Sequence, residues 1–331
     1  MTKTVEPILA VRDLAISVKR ENEIIPIVEP TSFDVHRGEI FGLVGESGSG
    51  KSLSLRAVMR LLPRQMHVSG EIAWRGRNLM ELPEAEMRHV RGGQISMIFQ
   101  EPMTALNPVL TIGQLLSESL RAHGKRDRKA RRARAVELLE LVGIPSATRR
   151  LDDYPHQFSG GMRQRAMIAV ALASDPSLIL ADEPTTALDV TIQDQILALL
   201  LRLRDDLGVS VALVTHDLGV VSAICDRVSI MYSGQILEKG PAEDLLTRPR
   251  HSYTYGLINS IPHAGHGSQA LRPIGGQPPS PTARPPGCLF SPRCSFSVDA
   301  CGHARPPLWP IGGERDTACL RQSELLQEGV F

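Results

Sequence analysis

The chain has almost no excess charge: 37 Lys and Arg stand against 36 Asp and Glu, a net charge of +1 at pH 7. A balance of this kind supplies no global pull towards nucleic acid or anionic lipid. No apolar run approaches the roughly 18 residues that a membrane helix needs, so any membrane association is expected through a partner. The start, Met1 to Ala10, lacks an apolar core behind a basic stretch. Export is therefore not expected, and a cytoplasmic location is. Internal repeats are also lacking. What is present is 331 residues with 42% hydrophobic and 22% charged side chains, enough to bury one large core and something smaller.

The apolar pattern alternates between two periods. Ile8 to Val18 and the buried run Glu39 to Val44 read as strands, and Leu53 to Leu62 has helical spacing until Pro63. Ser177 to Ala181 and Val209 to Val214 are short apolar runs of the parallel-sheet type, with a helical stretch, Val190 to Leu207, between them. This alternation predicts an α/β domain with a mostly parallel sheet. A segment from about Pro102 to Arg165 interrupts the rhythm and reads as mainly helical. Within it Arg121 to Arg134 holds eight basic residues and one acidic, which reads as a solvated helix face. Contact with a membrane surface or with a partner protein's loop is the other reading. Composition shifts after about Gly240, and a domain boundary is expected near Pro241.

Gly45-Glu46-Ser47-Gly48-Ser49-Gly50-Lys51-Ser52 matches G-x-x-x-x-G-K-[ST] at every fixed position. Glycines let successive amide N–H groups point inward at phosphate oxygens, and the following helix adds the positive end of its dipole. Lys51 is placed for the β- and γ-phosphates and the Ser52 hydroxyl for Mg²⁺. A second acidic feature, Leu178-Ile179-Leu180-Ala181-Asp182-Glu183, is a buried strand ending in two carboxylates. Asp182 is placed to hold the Mg²⁺ shell, and Glu183 to polarise an attacking water as general base.

A phosphate loop alone leaves GTPases, kinases, helicases and transporters open. Ser159-Gly160-Gly161-Met162-Arg163-Gln164, starting 23 residues before Asp182, decides among them. It resembles the ABC ATPase signature, usually written LSGGQ, with Phe158 and Met162 in place of its first and last residues. Ser159, Gly160 and Gly161 would offer a hydroxyl and bare amides at a helix start, an anion site that in ABC proteins faces the nucleotide of the other subunit. Gln100 resembles the Q-loop glutamine, Ala187-Leu188-Asp189 the D-loop, and His216 the switch histidine that contacts the γ-phosphate. The family usually stacks an aromatic residue on adenine, and the expected spot is about Val18. No adenine platform is assigned.

The resemblance narrows over the phosphate loop, over Met97 to Pro108, and over a tail that includes His251 to Leu257 and Gly287 to Cys294. These runs are close to those of the dipeptide, oligopeptide and nickel importer ATPases, most of all the D-type peptide-importer subunit. The resemblance implies a P-loop ABC nucleotide-binding domain over 1–245, with antiparallel β and helical subdomains, the latter at about 102–165. A C-terminal oligopeptide-transporter-type domain, rich in Cys and Pro, follows over 246–331. Cys288, Cys294, Cys301 and Cys319 stand in it as C-x5-C-x6-C-x17-C. A cytosolic chain should not spend them on stable disulfides, and four thiolates together suit Fe–S or zinc. Some importer ATPases of the resembling group carry a [4Fe–4S] cluster, which puts the cluster ahead of zinc and both ahead of four unrelated thiols. Such a group would staple a small proline-rich domain with little core of its own. Cys225 lies on an apolar helical stripe and reads as core.

The resemblance further implies ATP and Mg²⁺ as ligands and a head-to-tail pair of ATPase subunits, a paralogue favoured over a copy. Two membrane permease subunits, an extracytoplasmic solute-binding protein and a place on the inner face of the cell membrane complete the expectation. Nucleic acid is not an expected partner. A nickel or other small-solute importer is the alternative, and a non-transport ABC ATPase the more distant one.

Overall fold

A computed structural model describes residues 6–20, 23–124, 127–186, 188–260 and 273–331. The chain divides into two compact units, neither continuous in sequence: 1–7, 35–40 and 78–214 form one, and 8–34, 41–77 and 215–331 the other.

In the first unit three parallel strands lie in the order Ile95–Ile98, Leu178–Asp182 and Ser210–Thr215. Every residue of Leu178–Asp182 is buried, as a parallel strand covered on both faces requires. The segment expected to be helical is so. Ile112–Ala122, Arg128–Leu141 and Gly160–Leu172 pack on one another, the last running beyond Arg165. Sequence chemistry marks their starts. Thr111 and Gln114 form a reciprocal capping box, and the Asp127 carboxylate accepts the Ala130 N–H at 2.6 Å. Much of the basic run lies on Arg128–Leu141 as expected, with Arg132 on Asp152 and Arg134 on Glu137 and Asp175. Lys125 and Arg126 fall outside the described residues.

In the second unit Glu23–Val35, Leu9–Arg20 and Met66–Trp74 lie side by side in that order, the last two antiparallel. A bulge between Arg12 and Ala15 re-aims the Leu9–Arg20 strand, with Asp13 at φ 47°. A further sheet runs Ile40–Val44, Arg227–Tyr232, Gln235–Pro241, Arg315–Thr317 and Trp309–Gly312. Its first pair is parallel and the rest antiparallel. The two outermost strands come from the tail, so the tail extends this sheet. It also shares its core: Leu289, Phe290 and Ala318 pack with Val44, Ile230, Leu245 and Tyr253. Cys225 packs at the margin of that cluster. The helix after the phosphate loop, Lys51–Val58, is shorter than the apolar spacing predicts. Arg60 turns left-handed at φ 52° and Leu61 N–H bonds back to the Arg56 carbonyl, closing the helix before Pro63 is reached.

Among the described residues no helix is long and apolar enough to cross a membrane.

Candidate functional site

The phosphate loop joins the buried strand Ile40–Val44 to the helix Lys51–Val58 in the second unit. Its backbone demands glycine at two positions. Gly45 has φ 153°, and a Cβ there would stand 1.9 Å from the Met231 carbonyl oxygen. Gly50 caps the helix at φ 102°, against Val28 and Met231. The loop is further tied by the Gly234 N–H, which donates to the Ser49 carbonyl at 2.9 Å. Lys51 is only 4% exposed, yet its ammonium is solvated by protein: it donates to the Gly45 carbonyl at 2.7 Å and the Glu46 carbonyl at 2.8 Å. A lysine folded onto the loop it belongs to is held beside that loop's backbone rather than lost to solvent.

Glu46 is gripped from the tail. Its N–H donates to the Tyr253 hydroxyl at 3.0 Å, and its carboxylate receives Arg293 Nη1 at 2.8 Å. Neither partner was singled out from the sequence, although Tyr253 lies in the run His251 to Leu257 and Arg293 in the run Gly287 to Cys294. Motif wording flags such residues without saying what they touch. His216 is exposed in the same unit, directly before Asp217, which caps the helix Leu218–Ile224. Val18 is half-buried on the Leu9–Arg20 strand, opposite Met66.

In the first unit Asp182 ends its strand fully buried, and Glu183 follows at φ 48°. Left-handed backbone at a glutamate is strained and persists only where surroundings hold it. They do: Glu183 N–H donates to the Val214 carbonyl at 3.0 Å, Gln100 Nε2 donates to Glu183 Oε2 at 3.2 Å, and Thr186 Oγ1 to the same oxygen at 2.8 Å. The structure thus brings together Gln100 and Glu183, residues 83 apart in sequence. Thr186 is an addition that no sequence signal announced. Ser52 and Asp182 are oxygen donors of the kind a hard divalent cation takes, so their chemistry suits Mg²⁺.

Ser159 caps the helix Gly160–Leu172, accepting the Met162 N–H at 3.3 Å. The substituted Phe158 is buried, with the Arg150 guanidinium 5.9 Å from its ring centre. Gly161 is required by packing, since a Cβ there would meet Ile192 at 2.7 Å. Gly160 is not: it is exposed, and a Cβ there would meet nothing within 4 Å. The fold itself gives no reason for a glycine at that position. Asp189 caps Val190–Leu207 through the Ile192 N–H at 2.9 Å, while Ala187 lies outside the described residues.

Cys288, Cys294, Cys301 and Cys319 line one pocket in the second unit, with His251, Phe290 and Ser252 around them. None is in a disulfide. Burial pushes the Cys288 thiol up to about 11 and raises Cys294 and Cys319 as well. Among the described residues no three His, Cys, Asp or Glu are placed to hold a metal ion. The four thiols therefore share a pocket without forming a preformed single-ion site of the tetrahedral zinc type.

Two family models match the chain: ABC transporter over residues 28–186, and oligopeptide/dipeptide transporter, C-terminal region, over 237–301. The chain is 47% identical over 322 residues to a probable peptide ABC transporter ATP-binding protein of Sinorhizobium fredii, covering 96% of each. It is 47% identical over 328 residues to a dipeptide transport ATP-binding protein of Bacillus subtilis, covering 98% of each. Among solved structures it is similar to the ATP-binding cassette MJ0796, a dimer in a post-hydrolysis state with ADP and Pi. That match has a TM-score of 0.63 and 30% identity, covering 71% of this chain and 98% of that one. The chain belongs to the ABC transporter family, as an ATP-hydrolysing subunit that also carries the oligopeptide/dipeptide transporter C-terminal region.

Proposed function

We propose that the chain couples ATP hydrolysis to the uptake of short peptides across the cytoplasmic membrane. The observation that carries this reading is the union, in one chain, of the phosphate loop with a C-terminal region of oligopeptide/dipeptide transporter type. Relatives matched over nearly their full length and named for peptide and dipeptide transport support the choice of cargo.

In this reading Lys51 and the amides of Gly48, Ser49, Gly50 and Ser52 hold the β- and γ-phosphates of ATP, with Gly45, Glu46 and Ser47 completing the turn. Ser52, Gln100 and Asp182 would hold Mg²⁺, which when bound neutralises charge on the phosphates. Glu183, steadied by Gln100 and Thr186, takes the proton of a water whose oxygen attacks the γ-phosphorus. The bond from that phosphorus to the bridging oxygen breaks, leaving ADP and inorganic phosphate. His216 contacts the γ-phosphate. The exposed Ser159 and Gly160, with Gly161, serve the nucleotide of a second ABC subunit, a paralogue, and a bare Gly160 suits close approach by a phosphate. Two permease subunits and an extracytoplasmic solute-binding protein complete the importer at the inner face of the membrane, with no role for nucleic acid. The ABC domain spans 1–245, with its helical subdomain at about 102–165, and the C-terminal domain 246–331.

The test is turnover by the chain co-purified with its membrane partners. Stimulation by a peptide-loaded binding protein is expected, and stimulation by nickel alone would move the cargo elsewhere. Glu183→Gln should retain MgATP binding and lose turnover by at least about a hundredfold. Undiminished hydrolysis would remove Glu183 from the role of base.

We further infer that Cys288, Cys294, Cys301 and Cys319 hold a [4Fe–4S] cluster rather than zinc. Support comes from a pocket lined by all four sulfurs, none of them in a disulfide. Such a cluster would cross-link segments of the tail. Iron and acid-labile sulfide in the anaerobically purified chain are expected; stoichiometric zinc instead would overturn this.

A further inference from the structure

Glu46 occupies a position that the phosphate-loop pattern leaves free, yet the tail meets it twice. Arg293 Nη1 donates to Glu46 Oε2 at 2.8 Å and to the Tyr232 hydroxyl at 3.3 Å, and its guanidinium lies 5.6 Å from the Tyr232 ring centre. Two more of its donors are used: Nε on the Gly275 carbonyl at 2.8 Å, Nη2 on the Ile274 carbonyl at 3.4 Å. The Arg293 side chain is 6% exposed, so this is a buried fork with several partners rather than a surface ion pair. Tyr253, fully buried and packed on Tyr232 and Phe290, holds the Glu46 N–H through its hydroxyl. The Glu46 carbonyl in turn accepts from Lys51 Nζ at 2.8 Å.

We propose that Arg293 and Tyr253 are positioning residues for nucleotide binding: through Glu46 they set the backbone that orients Lys51. This rests on the reading of the loop as an ATP site and adds that the tail is part of how that site is built. The physical argument is a short chain of rigid links. The Glu46 N–H that Tyr253 holds lies in one peptide plane with the Gly45 carbonyl, which accepts Lys51 Nζ at 2.7 Å, while Arg293 restrains the same residue through its side chain. Free of the clamp, the peptide unit between Gly45 and Glu46 can rotate, and the ammonium loses a fixed partner. The amides that cradle phosphate then have to be ordered by the ligand at the expense of affinity. Arg293 is peptide-bonded to Cys294, which lines the thiol pocket, so the clamp and the pocket share one stretch of chain.

The test uses the full chain titrated with MgATP, alongside thermal melts without nucleotide. Arg293→Gln and Tyr253→Phe are each expected to weaken MgATP binding about tenfold, the scale of one charge-assisted or buried hydrogen bond. Arg293→Lys, which keeps the charge without the fork, should recover part of that loss. The decisive readout is coupling. If Arg293 acts through Glu46, the double variant Glu46→Gln, Arg293→Gln should bind no worse than the weaker single one. A role in general stability would instead lower the melting temperature and give additive losses. Should Arg293→Gln fail to fold, Tyr253→Phe, which removes one hydroxyl, carries the test. Unchanged affinity in the folded variants, or strictly additive effects, would overturn the proposal alone. Failure of the wild-type chain to bind MgATP would overturn the nucleotide reading and this inference with it.

Discussion

The backbone of Glu183 illustrates what single residues contribute. Its left-handed φ is unfavourable for any residue with a Cβ, and three separate hydrogen bonds hold it there. The strain aims a carboxylate that an extended residue at the same place would direct elsewhere. His251 shows a residue used for the opposite purpose, as a neutral cap. Its Nδ1 accepts the Tyr253 N–H at 3.0 Å at the start of Ser252–Asn259, and complete burial pushes its pKa down to about 3. The sign of the pH effect follows. Below the ordinary imidazole value of about 6.5 the unfolded chain binds a proton that the folded chain refuses. Stability is therefore intact above that value and falls between 6.5 and 3, by about 1.4 kcal/mol per pH unit from this group. Melts from pH 7.5 down to 5 should show this slope, and His251→Asn, which can still cap, should flatten it. An unchanged slope would mean that His251 is protonated in the fold.

At the scale of elements, helix starts are written in short-range chemistry. Asp189, Ser159, Thr111 and Asp127 each accept a backbone N–H at the N-terminus of their helix. Asp189 opens Val190–Leu207, the longest helix among the described residues, whose residues Ile196, Leu200 and Leu203 are buried. Asp189→Ala is expected to cost about 1 kcal/mol, read as a lower thermal midpoint of the isolated chain. Asp189→Asn should be nearly neutral, because its side-chain oxygen still accepts. Such codes explain why this helix was readable to its ends. The strand Met66–Trp74 was not. Its period-two pattern is broken by Gly70 at φ 98°, which is glycine because a Cβ would stand 2.4 Å from the Asp13 carbonyl. That reason lies on another strand, at the bulge, and no local window contains it. Likewise Lys51–Val58 ended early because Arg60 turned, although apolar spacing continued to Leu62.

At the scale of the molecule, the tail proves to be built into the unit that carries the phosphate loop. Its strand Arg315–Thr317 pairs with Gln235–Pro241, placing Arg315 beside Glu238 at 3.1 Å with side chains 8% and 0% exposed. Burial raises the pKa of Glu238, while the Arg250 N–H and Arg315 oppose that rise. Removing one partner of such a pair strands the other in a low-dielectric interior. Arg315→Leu is therefore expected to destabilise by about 3 kcal/mol or more, measured by thermal unfolding. The double replacement with Glu238→Leu should restore most of it. A small effect of Arg315→Leu would mean that Glu238 is neutral in the fold.

The order of motifs from Gly45 to His216, the strand–loop–helix around the phosphate loop and the helical character of the interrupting segment were all readable in the sequence. Each depends on neighbours within about one turn or one strand, where periodicity and glycine or capping chemistry act directly. Other features join residues far apart in the chain. Arg293 meets Glu46 across 247 positions, Gln100 meets Glu183 across 83, and four cysteines spread over the tail line one pocket. Pairings of this kind carry no periodic trace, because partners so far apart in the chain share no local window and only the packed chain brings them together. The motifs thus carried a resemblance to the ABC ATPases, with a cysteine-bearing tail, that the family models bear out. Packing decided that the tail would share a core and a sheet with the strand leading into the phosphate loop, because Leu289, Phe290 and Ala318 bury their apolar surface against Val44, Ile230 and Leu245.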